Sequence, residues 1–393
     1  MLLFFFISGS FVVAFNSVSA KLVEDSWNTK ASMNYARGFL GVVAVDGQIY
    51  AIGGSTAYSM GVNFVGANER YDPATDTWTT LAPMPTPRSD FIIAACQGKI
   101  YCIGGTTSKG YCGANEVYDI ATDSWNTKNP APVTRGGPIV VENGQIFVIS
   151  GFDVFMYDPV TDLWTDKTRI PAPPSTYIFP DSVVVDNKLV VKWVFSVEKP
   201  GDHKKVMIYD PKTDVLYEET TKYQNFNGIT GVTTGVYAPK KLYAIWGWYD
   251  YVRFTVVNNV YDPLSGEESS GKVMSIPRRN FGVVVLDDFL YAIGGYDFEN
   301  ACSVVEQYVP IGYDGTIHTP EPSNPTTSPP VTPNPSDTFA SSEPEPPKTS
   351  GPFLTGFVVT ALVLVVVLVF AGVFLYFQRR GKLNREKIEH TTL

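Results

Sequence analysis

Histidine is nearly absent from this chain, with three in 393 residues: His203, His318 and His390. They lie too far apart in sequence, and in segments too different in composition, to build a three-histidine zinc centre, and no paired-cysteine spacing offers a substitute. The nucleophile elbow Gly-X-Ser-X-Gly is also missing, so His203 has no partner for a hydrolytic triad. Cysteine is sparse: Cys96, Cys102, Cys112 and Cys302 allow three complete pairings. Cys102 with Cys112 would pin one long loop; reduced, buried thiols are the alternative. No Asn-X-Ser/Thr sequon occurs, because Asn324 and Asn334 each precede Pro, so N-glycosylation at the usual motif is not expected. Basic residues are outnumbered, 30 against 39, for a net charge of −9. A nucleic-acid partner would call for the opposite sign and is not expected.

Charge is missing altogether from residues 353–377, a run of 25. As a helix it would extend about 37 Å, enough to cross a hydrocarbon core of about 30 Å with some tilt. Arg379, Arg380, Lys382, Arg385 and Lys387 follow at once, which places the tail 378–393 in the cytoplasm and everything before the span outside. Residues 1–20 open on Leu2-Leu3-Phe4-Phe5-Phe6-Ile7 and close on Val18-Ser19-Ala20, a short apolar stretch with a small-residue cleavage motif, and read as a secretory signal. Residues 313–352 hold eleven prolines among Ser, Thr and Glu, a composition that cannot bury a core. Extended near polyproline II, this disordered stalk would reach about 120 Å at most. The expected topology is a single-pass type I protein of the cell membrane, with lipid as the partner of residues 353–377.

Residues 21–312 are built on a repeat. An apolar strand closes on a glycine pair or its remnant, and Tyr-Asp and a Trp follow. The clearest copy runs through Pro87-Arg88, Ile100-Tyr101-Cys102-Ile103-Gly104-Gly105, Val117-Tyr118-Asp119 and Trp125. The strand-closing positions are Gly54, Gly105, Gly151, Val194, Gly247 and Gly295, 43 to 53 residues apart. That period suits four-stranded blades and predicts an all-β, six-bladed β-propeller. Apolar runs such as Val42-Val43-Ala44-Val45 and Val283-Val284-Val285-Leu286 are expected as inner strands buried on both faces. Turn formers follow them: Asp46-Gly47, Gln97-Gly98, Asn143-Gly144 and Asp287-Asp288. The Trp residues are expected to pack between blades. Trp27 precedes Arg37 at the spacing of Trp78 to Arg88, whereas no Trp follows Tyr308. The segment 24–29 should therefore close the sixth blade from the other end of the chain.

The doublet, Tyr and Trp at these spacings resemble the kelch repeat family, over about 24–309 and most specifically in blades 1, 2 and 6. Blade 3 has Ser150-Gly151 for the doublet, and blades 4 and 5 have Trp193-Val194 and Trp246-Gly247. Kelch-type propellers include copper radical oxidases similar to galactose oxidase, whose metal site needs two His and two Tyr ligands. One propeller histidine cannot make it, and no cofactor is expected. In relatives that capture acidic peptides, and in sialate mutarotases, arginines at the Pro-Arg position line the channel mouth. The resemblance thus makes Arg37, Arg88, Arg135 and Arg278 candidates for gripping a carboxylate or sulfate by bidentate hydrogen bonds. The alternative is an ion pair with a neighbouring blade's Asp or Glu.

Loops after the second strands should open on the same face, and they are aromatic: Tyr58 and Phe64, Tyr111, Phe152, Trp248, Tyr249, Tyr251, Tyr296 and Phe298. The cluster Trp248 to Tyr251 is the leading one. Asp297 and Glu299 are the acidic loop residues to inspect. The function expected is a non-catalytic binding or adhesion module for an extracellular protein or glycan, anionic glycans and acidic peptides foremost. The competing expectation is an exterior sugar-processing enzyme resembling a sialate mutarotase.

Overall fold

The hairpin turns set the architecture. At Asp46-Gly47, Gln97-Gly98, Asn143-Gly144, Asp186-Asn187 and Asp287-Asp288 both central residues have positive φ, between 50° and 76°. Two-residue turns of this kind match the right-handed twist of the strands they join. The computed structural model of the chain describes residues 22–58, 63–133, 137–150, 153–169, 177–195, 205–219, 230–249, 254–298 and 300–315, with backbone alone at 177–182, 192–195, 205, 248, 249 and 254. Residues 1–20, read as a secretory signal, the expected stalk beyond 315, the apolar run 353–377 and the tail 378–393 lie outside the described residues, as do Arg135, Phe152, His203, Tyr251 and Glu299.

Six antiparallel four-stranded sheets form the blades. Blade 1 comprises Gly41–Val45, Gln48–Ile52, Asn68–Asp72 and Thr77–Leu81. Blade 2 comprises Ile92–Cys96, Lys99–Ile103, Asn115–Asp119 and Ser124–Lys128. Blade 3 is Ile139–Glu142, Gln145–Ser150, Asp153–Asp158 and Leu163–Asp166, and blade 4 is Tyr177–Val185, Lys188–Phe195, Lys205–Asp210 and Val215–Glu219. Blade 5 is Gly231–Val232, Leu242–Tyr249, Phe254–Tyr261 and Glu268–Ser270. Blade 6 takes Gly282–Leu286, Phe289–Ile293 and Val305–Val309 from one end of the chain and Ser26–Lys30 from the other, with Trp27 opposite Tyr308. Antiparallel pairing of the two ends leaves the ring no open sheet edge at that point.

The core is a ring of layers between blades rather than one central mass. Tyr50 and Ile52 of blade 1 meet Phe91, Ile100 and Cys102 of blade 2. Equivalent clusters join blades 2 to 3, 3 to 4, 4 to 5, 5 to 6 and 6 to 1. Second strands carry these layers: Gln48–Ile52, Lys99–Ile103 and Phe289–Ile293 are each buried at four consecutive positions. Each such aliphatic side chain contributes about 1.5–3 kcal/mol on burial. Inner strands differ from expectation. Gly41–Val45 and Gly282–Leu286 are half-buried after their first residue, because one face borders the central channel instead of protein.

The glycine doublet has a definite task. Gly54 and Gly295 have φ of 102° and donate to the carbonyls of Arg88 and Arg37, each in the next blade. A Cβ on Gly54 would sit 2.6 Å from the Gly38 carbonyl oxygen. Where the doublet is lost the second strand runs on. Lys188–Phe195 and Leu242–Tyr249 have eight residues against five in blades 1, 2 and 6.

Four of the seven Trp residues stand on the Tyr of their own blade, each with its indole reaching the linker from the blade before. Trp78, Trp125, Trp164 and Trp27 lie 4.9–5.2 Å from the rings of Tyr71, Tyr118, Tyr157 and Tyr308. Their Nε1–H groups donate to the carbonyls of Ala31, Ala82, Asn129 and Lys272. An aspartate completes each joint. Asp76, Asp123 and Asp162 accept from those same tyrosine hydroxyls at 2.7 Å and from the backbone N–H of Ala31, Ala82 and Asn129. Asp25 does the same for Tyr308 and Lys272.

Candidate functional site

The inner strands begin on the face where the loops after the second strands open, and the repeated arginines enter there. Arg37, Arg88 and Arg278 have no exposed surface. Each is ion-paired with a glutamate of its own blade, Glu69, Glu116 or Glu306. The rest of each guanidinium goes to backbone. Arg88 donates to the carbonyls of Thr86, Cys102 and Gly104 at 2.8–2.9 Å, and Arg278 to those of Ile276, Ala292 and Gly294 at 2.9–3.0 Å. Arg37 donates to Tyr35 and Ala51, while its Nε meets no partner among the described residues. Burial lowers the Arg37 pKa, against the pull of the Glu69 carboxylate. A guanidinium enclosed in this way cannot present a fork to an outside carboxylate or sulfate. The partner glutamate comes from the same blade, two residues before the tyrosine, rather than from a neighbour.

That glutamate is the residue the repeat reading overlooks. Its signal is plain in retrospect: Glu69, Glu116 and Glu306 precede Tyr71, Tyr118 and Tyr308 in the three blades that carry the full doublet. In blades 3, 4 and 5 the position holds Phe155, Met207 and Asn259. The reciprocal pairing fixes the linker ahead of each inner strand, since the glutamates also accept from the N–H of Asn34, Thr86 and Ser275.

The aromatic candidates separate into two groups. Tyr296 is fully buried, its hydroxyl donating to the Ser55 and Ala57 carbonyls at 2.6 and 3.1 Å across the joint from blade 6 to blade 1. It is a rivet between blades, and Gly38 lies so close that a Cβ there would enter its ring. Burial, foremost, raises its pKa. Tyr58 is half-buried, 5.5 Å from Tyr296 and 6.2 Å from Phe39, with the Arg279 guanidinium 3.5 Å from its ring centroid. Tyr111 and Phe298 face solvent, at 55% and 54% exposure, as does Tyr35 at 52%. Trp248 and Tyr249, expected in a loop, instead pair with Thr255 and Phe254 inside the lengthened strand of blade 5.

The inner strands of blades 3 to 6 line a cavity of about 460 Å³, with Pro138, Ile139, Val183, Gly231 and Val284 among its walls. Its walls are the inner strands, whose apolar side chains also pack into the layers between blades.

The cysteines carry no bridge: all four are free. Cys102 points into the layer between blades 1 and 2, where burial pushes its thiol up to about 12, while the Cys112 sulfur lies near the Gly104 carbonyl. Among the described residues no group of three or more His, Cys, Asp or Glu could hold a metal.

Comparison with known proteins matches the Kelch motif to residues 36–85, 87–132 and 277–312, which are blades 1, 2 and the C-terminal part of 6. Kelch-like protein 35 of Mus musculus is 34% identical over 157 residues, covering 38% of this chain and 26% of that protein. Beta-scruin of Limulus polyphemus is 28% identical over 189 residues, covering 47% of this chain and 16% of its own length. The chain thus spans only about a quarter or less of these two relatives. The solved structure titled "Structure of YjhT" superposes with a TM-score of 0.53 at 17% identity, covering 74% of this chain and 98% of that one, a likeness of fold.

Proposed function

Starting from the fact that the chain is a kelch repeat protein, we propose that its propeller is a non-catalytic protein-binding module displayed outside the cell, secreted by residues 1–20 and anchored by 353–377 at the end of a stalk that starts beyond the packed Tyr313, not at it. The observation that carries the reading is the placement of exposed aromatics. Tyr35, Tyr111 and Phe298 stand in solvent on the loop face. The last described residues leave from the other face, where Tyr313 packs on Phe289 at 4.2 Å and on Tyr237. Rigid aromatic rings offer large contact area at small entropic cost, and a ligand meeting them from above meets nothing of the exit. With Arg37, Arg88 and Arg278 enclosed, aromatic contact rather than anion capture supports the binding.

The full chain on intact cells tests this. An N-terminal epitope placed after residue 21 should be reached by antibody without permeabilisation. A partner recovered by cross-linking should be lost on changing Tyr111 and Phe298 together to Ser, and kept on changing Val160 and Leu264, exposed at turns of the hairpin face, to Ser. The reverse pattern, or an epitope reached only inside the cell, refutes the proposal.

A further inference from the structure

Asn280, Phe39 and Asp90 each stand two residues ahead of an inner strand or its first residue, in blades 6, 1 and 2. All three have a left-handed backbone, with φ of 54°, 53° and 52°. They are stitched side by side around the channel mouth: the Phe39 N–H donates to the Asn280 carbonyl at 2.9 Å, and the Asp90 N–H to the Phe39 carbonyl at 3.3 Å. Asn and Asp accept this conformation readily, but a phenylalanine there is strained, and such strain gathers where a side chain is being aimed.

The repeated arginines do not supply the charge exposed at this rim. Three of them are neutralised below the surface. Arg279 lies on the ring of Tyr58 and donates to the Phe298 carbonyl at 2.8 Å. Asp90 is solvent-accessible, and its carboxylate accepts from the Ser89 hydroxyl at 2.8 Å; among the described residues no cation pairs with it. Partial desolvation nonetheless raises its pKa, against the pull of the Ser89 hydrogen bond. Its N–H bond to the Phe39 carbonyl places its backbone beside the residue that opens the ring cluster Phe39–Tyr58–Tyr296. A carboxylate near aromatic rings, with no cation paired to it among the described residues, gains from a cation that approaches.

We infer that the mouth between blades 6, 1 and 2 receives a cationic side chain, the Arg or Lys of a partner protein, with Asp90 as counter-ion, Phe39 as aromatic wall and Asn280 as amide acceptor. The inference rests on the protein-binding reading and names the chemistry of its central contact. Arg279 on Tyr58 shows the same ring cluster already accommodating a guanidinium within the chain.

The test selects random displayed peptides on the full chain, then measures their Kd before and after each Arg is replaced by citrulline or each Lys by acetyl-lysine. Selected peptides should be basic, and neutralising one residue should weaken binding about tenfold or more. Asp90→Asn should weaken it by a similar factor, and the two changes together by no more than either alone. Asn keeps an acceptor for Ser89 and the left-handed backbone, so the fold survives this change. Asn280→Asp should tighten binding several-fold. Peptides that bind Asp90→Asn undiminished overturn this site while leaving the protein-binding reading intact. Failure to enrich any peptide over an unrelated chain overturns both.

Discussion

In blades 6, 1 and 2 a guanidinium with no exposed surface ties the start of the inner strand to a glutamate of the third strand and to carbonyls of the second, in blades 6 and 2 reaching the doublet that ends it. In blades 3, 4 and 5 the glutamate position is Phe155, Met207 or Asn259. The first arc stops its second strands at five residues and holds its loops against one another, with Tyr296 crossing from blade 6 to blade 1. In the second arc the strands lengthen to eight residues in blades 4 and 5, and the inner strands there contribute most of the cavity wall. A buried ion pair seldom adds net stability over well-packed apolar groups, since its desolvation offsets its attraction. What the guanidinium adds is geometry: its donors meet a carboxylate and several carbonyls at once, and so fix the linker on which the channel rim is built.

The comparison breaks first at the closure, which lies wholly within the ion-paired arc. Removing residues 22–30 takes away the outer strand of blade 6, Trp27 and Asp25 together, and should abolish the single cooperative thermal transition of the propeller. An unchanged transition would show that the arc needs no closing strand.

Next in size is the ion pair itself. Glu306→Ala strands Arg278 as an uncompensated buried charge and should cost about 3–5 kcal/mol in urea unfolding. Met207→Ala, the equivalent position in blade 4, should cost about 2 kcal/mol. Arg278→Met combined with Glu306→Leu should recover most of the loss. Equal costs for the two single changes would erase the distinction between the arcs.

A smaller effect separates the doublet from an ordinary hairpin glycine. Gly54→Ala forces a left-handed alanine against the Gly38 carbonyl and should cost about 1–3 kcal/mol. Gly47→Ala, at φ of 71° with open space around it, should cost about 1 kcal/mol.

The smallest effect is pH-dependent and tests a joint that both arcs use. Hydrogen bonds from Tyr71 and Tyr118 foremost hold Asp76 and Asp123 below the ordinary value of 3.8. A carboxylate lowered on folding contributes its stability above the unfolded pKa and loses it as pH falls through the folded one. The urea midpoint should therefore drop below about pH 4, and Asp76→Asn with Asp123→Asn should flatten that drop while lowering the plateau at pH 7.

Much of the fold is legible because the repeat writes it several times. Gly-Gly, Tyr-Asp and Trp recur at fixed offsets, so blade number and the role of Trp27 follow from alignment of the chain with itself. The candidate site is less legible. Arg37, Arg88 and Arg278 repeat just as regularly, but periodicity places a residue on a ring without saying whether its charge faces inward or outward. Their glutamates repeat too, and pairing two periodic charges of opposite sign would have indicated burial. Trp248 and Tyr249 were expected in a loop because glycine at 247 resembles a doublet remnant; lacking positive φ there, the strand continues. Asp90 carries no repeat signal, since its counterparts are Phe39 and Asn280.

Sequence by itself determined the propeller, its blade count and the kinds of residue at each turn, because these follow from local backbone preference and periodic burial, which short segments encode. Only the tertiary structure decided which charges remain available. That depends on how much solvent survives when six blades meet, and the same spacing that makes four arginines look like a binding ring encloses at least three of them, leaving Asp90 at the rim.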